Sequence, residues 1–98
     1  MVVEWLRVHV PTPWQEPYLE ADARIWTPVL ATQPGFLGKQ VWLEPSQPEE
    51  LILVIHWASL VQWKAIPGEI LQATEAHFVA VLGQSFSLLE SRVFEVQG

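Results

Sequence analysis

The sequence predicts an α+β domain: a four-stranded antiparallel sheet with two helices on one face, its other face closed by a second copy. Three observations predict it. Four stretches of strand character alternate with two of helical periodicity in the order βαββαβ. Of the eight prolines, all but Pro28 fall at or near the ends of these stretches, and none interrupts a strand. The third strand is apolar on both parities, with Leu51, Leu53, Ile55 and Trp57 set against Ile52, Val54 and Ala58.

The first strand is read over residues 2–10, with Leu6, Val8 and Val10 on one face and Trp5, Arg7 and His9 on the other. In the loop PTPWQEP, Thr12 and Gln15 have capping-box spacing, with Pro13 at the favoured first helical position. Pro17 argues for a later start, at Glu16–Pro17, because it cannot donate a helical hydrogen bond. The helix then places Tyr18, Asp22, Ile25, Trp26, Val29 and Leu30 on one stripe. Pro28 should kink or break it near Ile25, and Gln33–Pro34–Gly35 ends it. FLGKQVWLE (36–44) is the second strand, with Leu37, Val41 and Leu43 opposite Phe36 and Trp42.

The third strand spans 51–58. Ser59 and Gln62 repeat the capping-box spacing and open a short helical piece, which Pro67–Gly68 interrupts. The main helix runs from about Glu69 to Leu82, with Ile70, Thr74, His77 and Val81 as its stripe and Leu71, Phe78 and Leu82 beside it. Gly83 is its left-handed stop, and LLESRVFEV (88–96) closes the sheet. This order has a usual solution, the ferredoxin-like arrangement. Its helices cover one sheet face only, so the apolar second face calls for an identical sheet, giving a two-fold homodimer.

The chain of 98 residues is read as one domain over 1–98, large enough to bury roughly two-thirds of its unfolded surface. Half the residues are hydrophobic and six are Trp, which favours a ligand pocket or a partner subunit. A net charge of -6, with the basic residues scattered singly, argues against nucleic acid as a partner. With no cysteine, disulfides and thiolate chemistry are excluded. No apolar run approaches the ~18 residues of a membrane span. MVVEWLRVHV has no basic leader and reads as a strand, so a cytoplasmic location is expected.

Two stretches, QPGFLGKQVWL (33–43) and LILVIHWASLVQWKA (51–65), resemble the core of antibiotic biosynthesis monooxygenase (ABM)-type domains of the dimeric α+β barrel superfamily. In that family Pro-Gly-Phe precedes the second strand, and an apolar strand ends in Trp and a small polar residue before a helix. EWL near the start, IWTP in the first helix and HWAS after strand three are similar to a group of short cyanobacterial members. The resemblance implies a homodimer with facing sheets and a pocket for a small apolar or aromatic molecule. It also implies a cofactor-free monooxygenase reaction, in which a substrate carbanion reduces oxygen directly. Haem-degrading members use an Asn on strand one, a Trp in helix two and a later His. Here His77 matches the last of these, while strand one has no Asn and Ile66 stands near the Trp position.

Candidate catalytic residues are His77, whose imidazole suits an iron ligand or a base near neutral pH, and Asp22, a carboxyl inside an apolar stripe that can take a proton. The bland alternatives are a core-edge histidine bonded to a carbonyl or water, and an acid facing water or paired with Arg24 or Lys39. Trp26, Ile25, Thr74 and Phe78 are expected to line the substrate pocket. No cofactor is expected beyond haem through His77, and no metal site, since antiparallel strands carry His9 and His56 to opposite ends of the sheet. His56 and Trp57 are neighbours on a strand and so face opposite ways. A non-catalytic dimer, binding a ligand or serving a stress response, is the other functional class that this sequence allows.

Overall fold

Alternation along the first strand decides which side chains meet the helices. In the computed structural model, which describes residues 1–98, β1 (Val2–His9) turns Val2, Glu4, Leu6 and Val8 toward them and Trp5, Arg7 and His9 away. The other strands are β2 (Phe36–Leu43), β3 (Glu50–Trp57) and β4 (Leu88–Glu95). All pair antiparallel in the order β2-β3-β1-β4, the ferredoxin-like arrangement that the element order predicts. Strand β3 lies beside β1 at the centre and is buried from Leu51 to Ile55 on both parities.

The first helical arm is α1 (Thr12–Ala21), then a π-helical turn (Asp22–Trp26), then α2 (Thr27–Ala31). Neither expected start is correct: the helix begins at Thr12 without a side-chain cap, preceded by Pro11. The amide of Gln15 instead donates to the carbonyls of Val10 (3.0 Å) and Pro48 (2.6 Å), tying the helix start to the β2–β3 turn. Pro28 perturbs the helix where expected, and the form is a widened turn. Without an N–H at Pro28 the carbonyl of Arg24 loses its normal partner, and the Thr27 N–H reaches back five residues to Asp22.

Ser59 caps the short α3 (Leu60–Lys64), accepting from the Gln62 N–H at 3.2 Å. Helix α4 (Gly68–Leu82) ends at Gly83 with φ 81°, the left-handed stop expected there. Its inward side carries Leu71, Thr74, Phe78 and Leu82. His77 and Val81 are exposed, so the expected stripe is corrected by a rotation toward its flank.

Strand β2 needs a second correction. A bulge between Phe36 and Gly38 inserts Leu37 as an extra residue. Parity therefore resets: Phe36, opposite Trp57, shares the helix side with Lys39 and Val41, while Gln40 and Trp42 lie on the open side. Ala58 falls outside β3, whose open-side residues are Ile52, Val54 and His56.

The open face is apolar at its centre and ionic toward one end. Ile52 and Val54 are 6% and 1% exposed, flanked by Trp5, Trp42 and Phe94. The Trp5 and Phe94 rings meet edge to face at 6.5 Å. Toward the His9 end, Arg7 bonds Glu50 at 2.7 Å, with Glu44 and Glu90 at 3.8 and 3.6 Å. The strict two-sided greasiness expected from β3 thus holds for β3 itself and is diluted by Arg7 on β1 and Arg92 on β4.

Candidate functional site

Between the helices and the sheet the apolar core divides in two. One cluster joins Val8, Tyr18, Ile25, Leu51, Leu53, Phe78 and others, and a second joins Val2, Leu30, Ile55, Trp57 and Ile66. Leu6 and Trp26 pack against both. A cavity of about 300 Å³ opens between the clusters, with 13 hydrophobic residues among the 18 that line it. That volume is at the lower end of small-molecule sites, which run from roughly 300 to 1,000 Å³.

The polar groups of this cavity are few. One row across the helix side of the sheet holds Lys39, Ile55, Glu4 and Val93, one residue from each strand. Lys39 and Glu4 flank Ile55, so their backbones lie two strand spacings apart, roughly 9–10 Å. Above the sheet, Asp22 at the start of the π turn meets Lys39 Nζ at 2.6 and 2.7 Å through its two carboxylate oxygens. Both side chains are almost wholly buried, at 5% and 6% exposure. A buried pair of this kind is held by mutual attraction against the cost of desolvating each charge.

Glu4 has a different environment. Its Oε1 accepts a hydrogen bond from the Trp57 indole at 3.2 Å. Burial raises its carboxyl above the usual range, opposed by the Trp57 bond and by the Lys64 and Lys39 charges. The sign follows: this carboxyl favours the folded state while protonated, and that contribution is lost as pH rises through the raised pKa. Tyr18 is 5% exposed and packs edge to face on Phe78 and Phe86 at 5.1 and 5.4 Å. Burial, then the Asp22 and Glu75 charges, push its phenol well above the ordinary range.

Of the residues singled out from sequence, Asp22, Trp26 and Phe78 line this cavity. Ile25 and Thr74 do not: with Arg24, Pro28, Val29, Ala73 and His77 they line a shallow groove at the seam between the two helical arms. Thr74 is buried there and donates to the Ile70 carbonyl at 2.6 Å. His77 is exposed and sits only in grooves of that outer side, away from the cavity. The rotation of α4 accounts for this, since it turns Phe78 inward and His77 out. Trp57 is fully buried on the helix side and His56 is half-buried on the open side.

Glu4, Tyr18 and Lys39 were not among the expected site residues. Glu4 was legible, because it shares the parity of Val2, Leu6 and Val8 and an acid on a core-facing parity is unusual. Lys39 was named only as an alternative ion-pair partner of Asp22, a pairing that the structure contains, while the bulge at Leu37 hides its parity.

Fold and site together define a ferredoxin-like α+β domain with one ligand-sized cavity between sheet and helices. The antibiotic biosynthesis monooxygenase family matches residues 1–66, and the chain belongs to that family. Among solved structures, SnoaB, a cofactor-independent oxygenase from Streptomyces nogalater, is similar with a TM-score of 0.71 and 17% identity, over 99% of this chain and 93% of that one. A protein assigned to the antibiotic biosynthesis monooxygenases from Bordetella bronchiseptica gives 0.75 at 14% identity, over 98% and 96%. Another so assigned, from Deinococcus radiodurans, gives 0.70 at 18%, over 100% and 94%. At these identities the likeness establishes the fold. No curated protein sequence matches the chain. No helix is long and apolar enough to cross a membrane.

Proposed function

We propose that the cavity binds a small apolar or aromatic molecule and that the protein oxidises it as a cofactor-independent monooxygenase. The observation that carries this reading is the cavity itself, greasy over most of its wall with Glu4, Glu75, Ser85, the Tyr18 phenol and the Asp22–Lys39 pair as a small polar set. Family membership and the likeness to an oxygenase that needs no cofactor support it. A substrate of the anthrone type loses an acidic hydrogen, and the resulting anion passes an electron to O₂. Radical recombination forms a C–O bond as peroxide, and loss of water leaves a carbonyl. One CH₂ and one O₂ give one C=O and one H₂O. The substrate anion is the reductant, so no cofactor enters.

Asp22 remains a site residue in this reading, with its role changed from the proton acceptor expected from sequence. Lys39 already holds its carboxylate, and the pair fixes an ammonium at the cavity wall, where a cation favours anionic intermediates. His77 has no part, because it does not reach the cavity. An oxygen electrode with anthrone and a quinol panel tests the proposal. Protein-dependent uptake of one O₂ per anthrone, with the quinone as product, is expected. No uptake beyond autoxidation with any compound would overturn the oxygenase, and binding without uptake would favour a non-catalytic ligand-binding module.

The proposal extends to a homodimer through the open sheet face. Trp42, 47% exposed, stands beside the buried Ile52, and Phe94, 45% exposed, stands against Trp5 further along the same face, an apolar area that a second copy would cover. Light scattering at micromolar concentration should give twice the 11.2 kDa of one chain. Trp42→Glu should shift the sample toward monomer, and single chains in the unsubstituted protein would sink the pairing.

A further inference from the structure

We infer that Glu4 is the cavity's proton acceptor, and that it selects ligands carrying an acidic hydroxyl over ligands of the same shape that lack one. This deepens the proposed function and rests on it for the cavity being a ligand site.

Three geometric facts support the assignment. Glu4 stands on the helix side of the central strand β1, with Ile55 and Val93 opposite it on the two neighbouring strands, and it lines the cavity together with Leu6 and Ile55. The Trp57 indole holds one carboxylate oxygen, Oε1, at 3.2 Å, and Trp57 is itself fully buried. A fixed indole sets the plane of the carboxyl. No buried side-chain oxygen lacks a partner, so Oε2, which has none, is not buried, and Glu4 is one of the residues that line the cavity. One oxygen is thus anchored and the other left to meet a ligand. Asp22 differs, because Lys39 engages both of its oxygens.

The charges that face Glu4 are Lys39 from β2 and Lys64 from α3, with Asp22 of the π turn and Glu75 of α4 also at the cavity. The neighbouring position on β4 is the apolar Val93. In the step itself the ligand O–H bond breaks, the proton forms a bond to Oε2, and the electron pair stays on the ligand oxygen as phenolate or enolate. For an anthrone, the enolate formed in this way is the species which reduces O₂ in the proposed reaction. The Lys39 ammonium, one strand beyond Ile55, favours it electrostatically. A hydrocarbon or ether of the same shape meets the same walls but offers Oε2 no proton.

Calorimetric titration with 1-naphthol and its methyl ether tests this, over a pH range below naphthol's own ionisation. With the unsubstituted protein, naphthol should bind about tenfold tighter than the ether, since a hydrogen bond to an ionised carboxylate is among the stronger kinds. Naphthol binding should tighten as pH rises through the Glu4 pKa, while ether binding stays flat. Glu4→Gln keeps an oxygen for the Trp57 indole; it should abolish the pH dependence and most of the preference and leave ether affinity unchanged. Equal binding of both probes, or naphthol binding that weakens as pH rises, would overturn the assignment without touching the cavity reading. If neither probe binds, the cavity reading itself falls and takes Glu4's role with it. The comparison within the unsubstituted protein decides the matter even if Glu4→Gln fails to fold.

Discussion

Trp57→Ala should destabilise the protein by about 3–5 kcal/mol, the usual cost of deleting a buried large aromatic. Trp57 is 0% exposed and joins Val2, Leu30, Ile55 and Ile66 in one of the two apolar clusters, with Phe36 edge to face at 5.7 Å. Its buried partners are all smaller, and the cavity beside the cluster lets the gap merge with open space rather than close. For a domain whose whole stability is of the order of 5–15 kcal/mol, the loss is a large share. Urea unfolding at one fixed protein concentration measures it. Trp57→Phe separates packing from polarity: it keeps a ring but removes the indole donor, so the loss should be about 1 kcal/mol or somewhat more. In that variant the Glu4 carboxyl should titrate higher still, because the lost bond is one of the influences that lowers it.

Lys39→Met is expected to cost about 3–5 kcal/mol at neutral pH, since it leaves the Asp22 carboxylate buried with no partner. Urea midpoints relative to the unsubstituted protein measure it, and a second substitution distinguishes the effect from a packing defect. Adding Asp22→Leu to Lys39→Met should restore much of the loss, because a buried ion pair replaced whole by apolar groups is often close to neutral. A deficit unrelieved in the double variant would mean that the pair does not carry the stability assigned to it.

The elements that the sequence made legible are those whose period is simple. Strand β3, continuous in apolar residues, announced a central position, and Gly83 and Ser59 marked helix ends through local backbone chemistry that no tertiary contact overrides. Helix α4 was harder. Its apolar residues surround more than one stripe, so a rotation of one residue still looks amphipathic, and His77 changes from inward to outward with it. At the candidate site Asp22 stood out as an acid among apolar neighbours, but its partner Lys39 is 17 residues away across a bulge. Non-local pairings of this sort leave no periodic trace. The π turn is similar: Pro28 signals a disturbance, yet only the neighbouring helix and sheet decide whether the chain bends, breaks or widens.

The bulge at Leu37 has a consequence for how the interior acquires its one ammonium. On a regular strand residues three apart point to opposite faces, so the extra residue is what lets Phe36 reach Trp57 and Lys39 reach Asp22 from one strand. Deleting Leu37 would close the bulge with Lys39 still opposite Ile55, and the chamber would keep its cation. A regular strand of the present length could send only one of the two inward, and would have to give up either the ring on Trp57 or the ammonium beside Asp22.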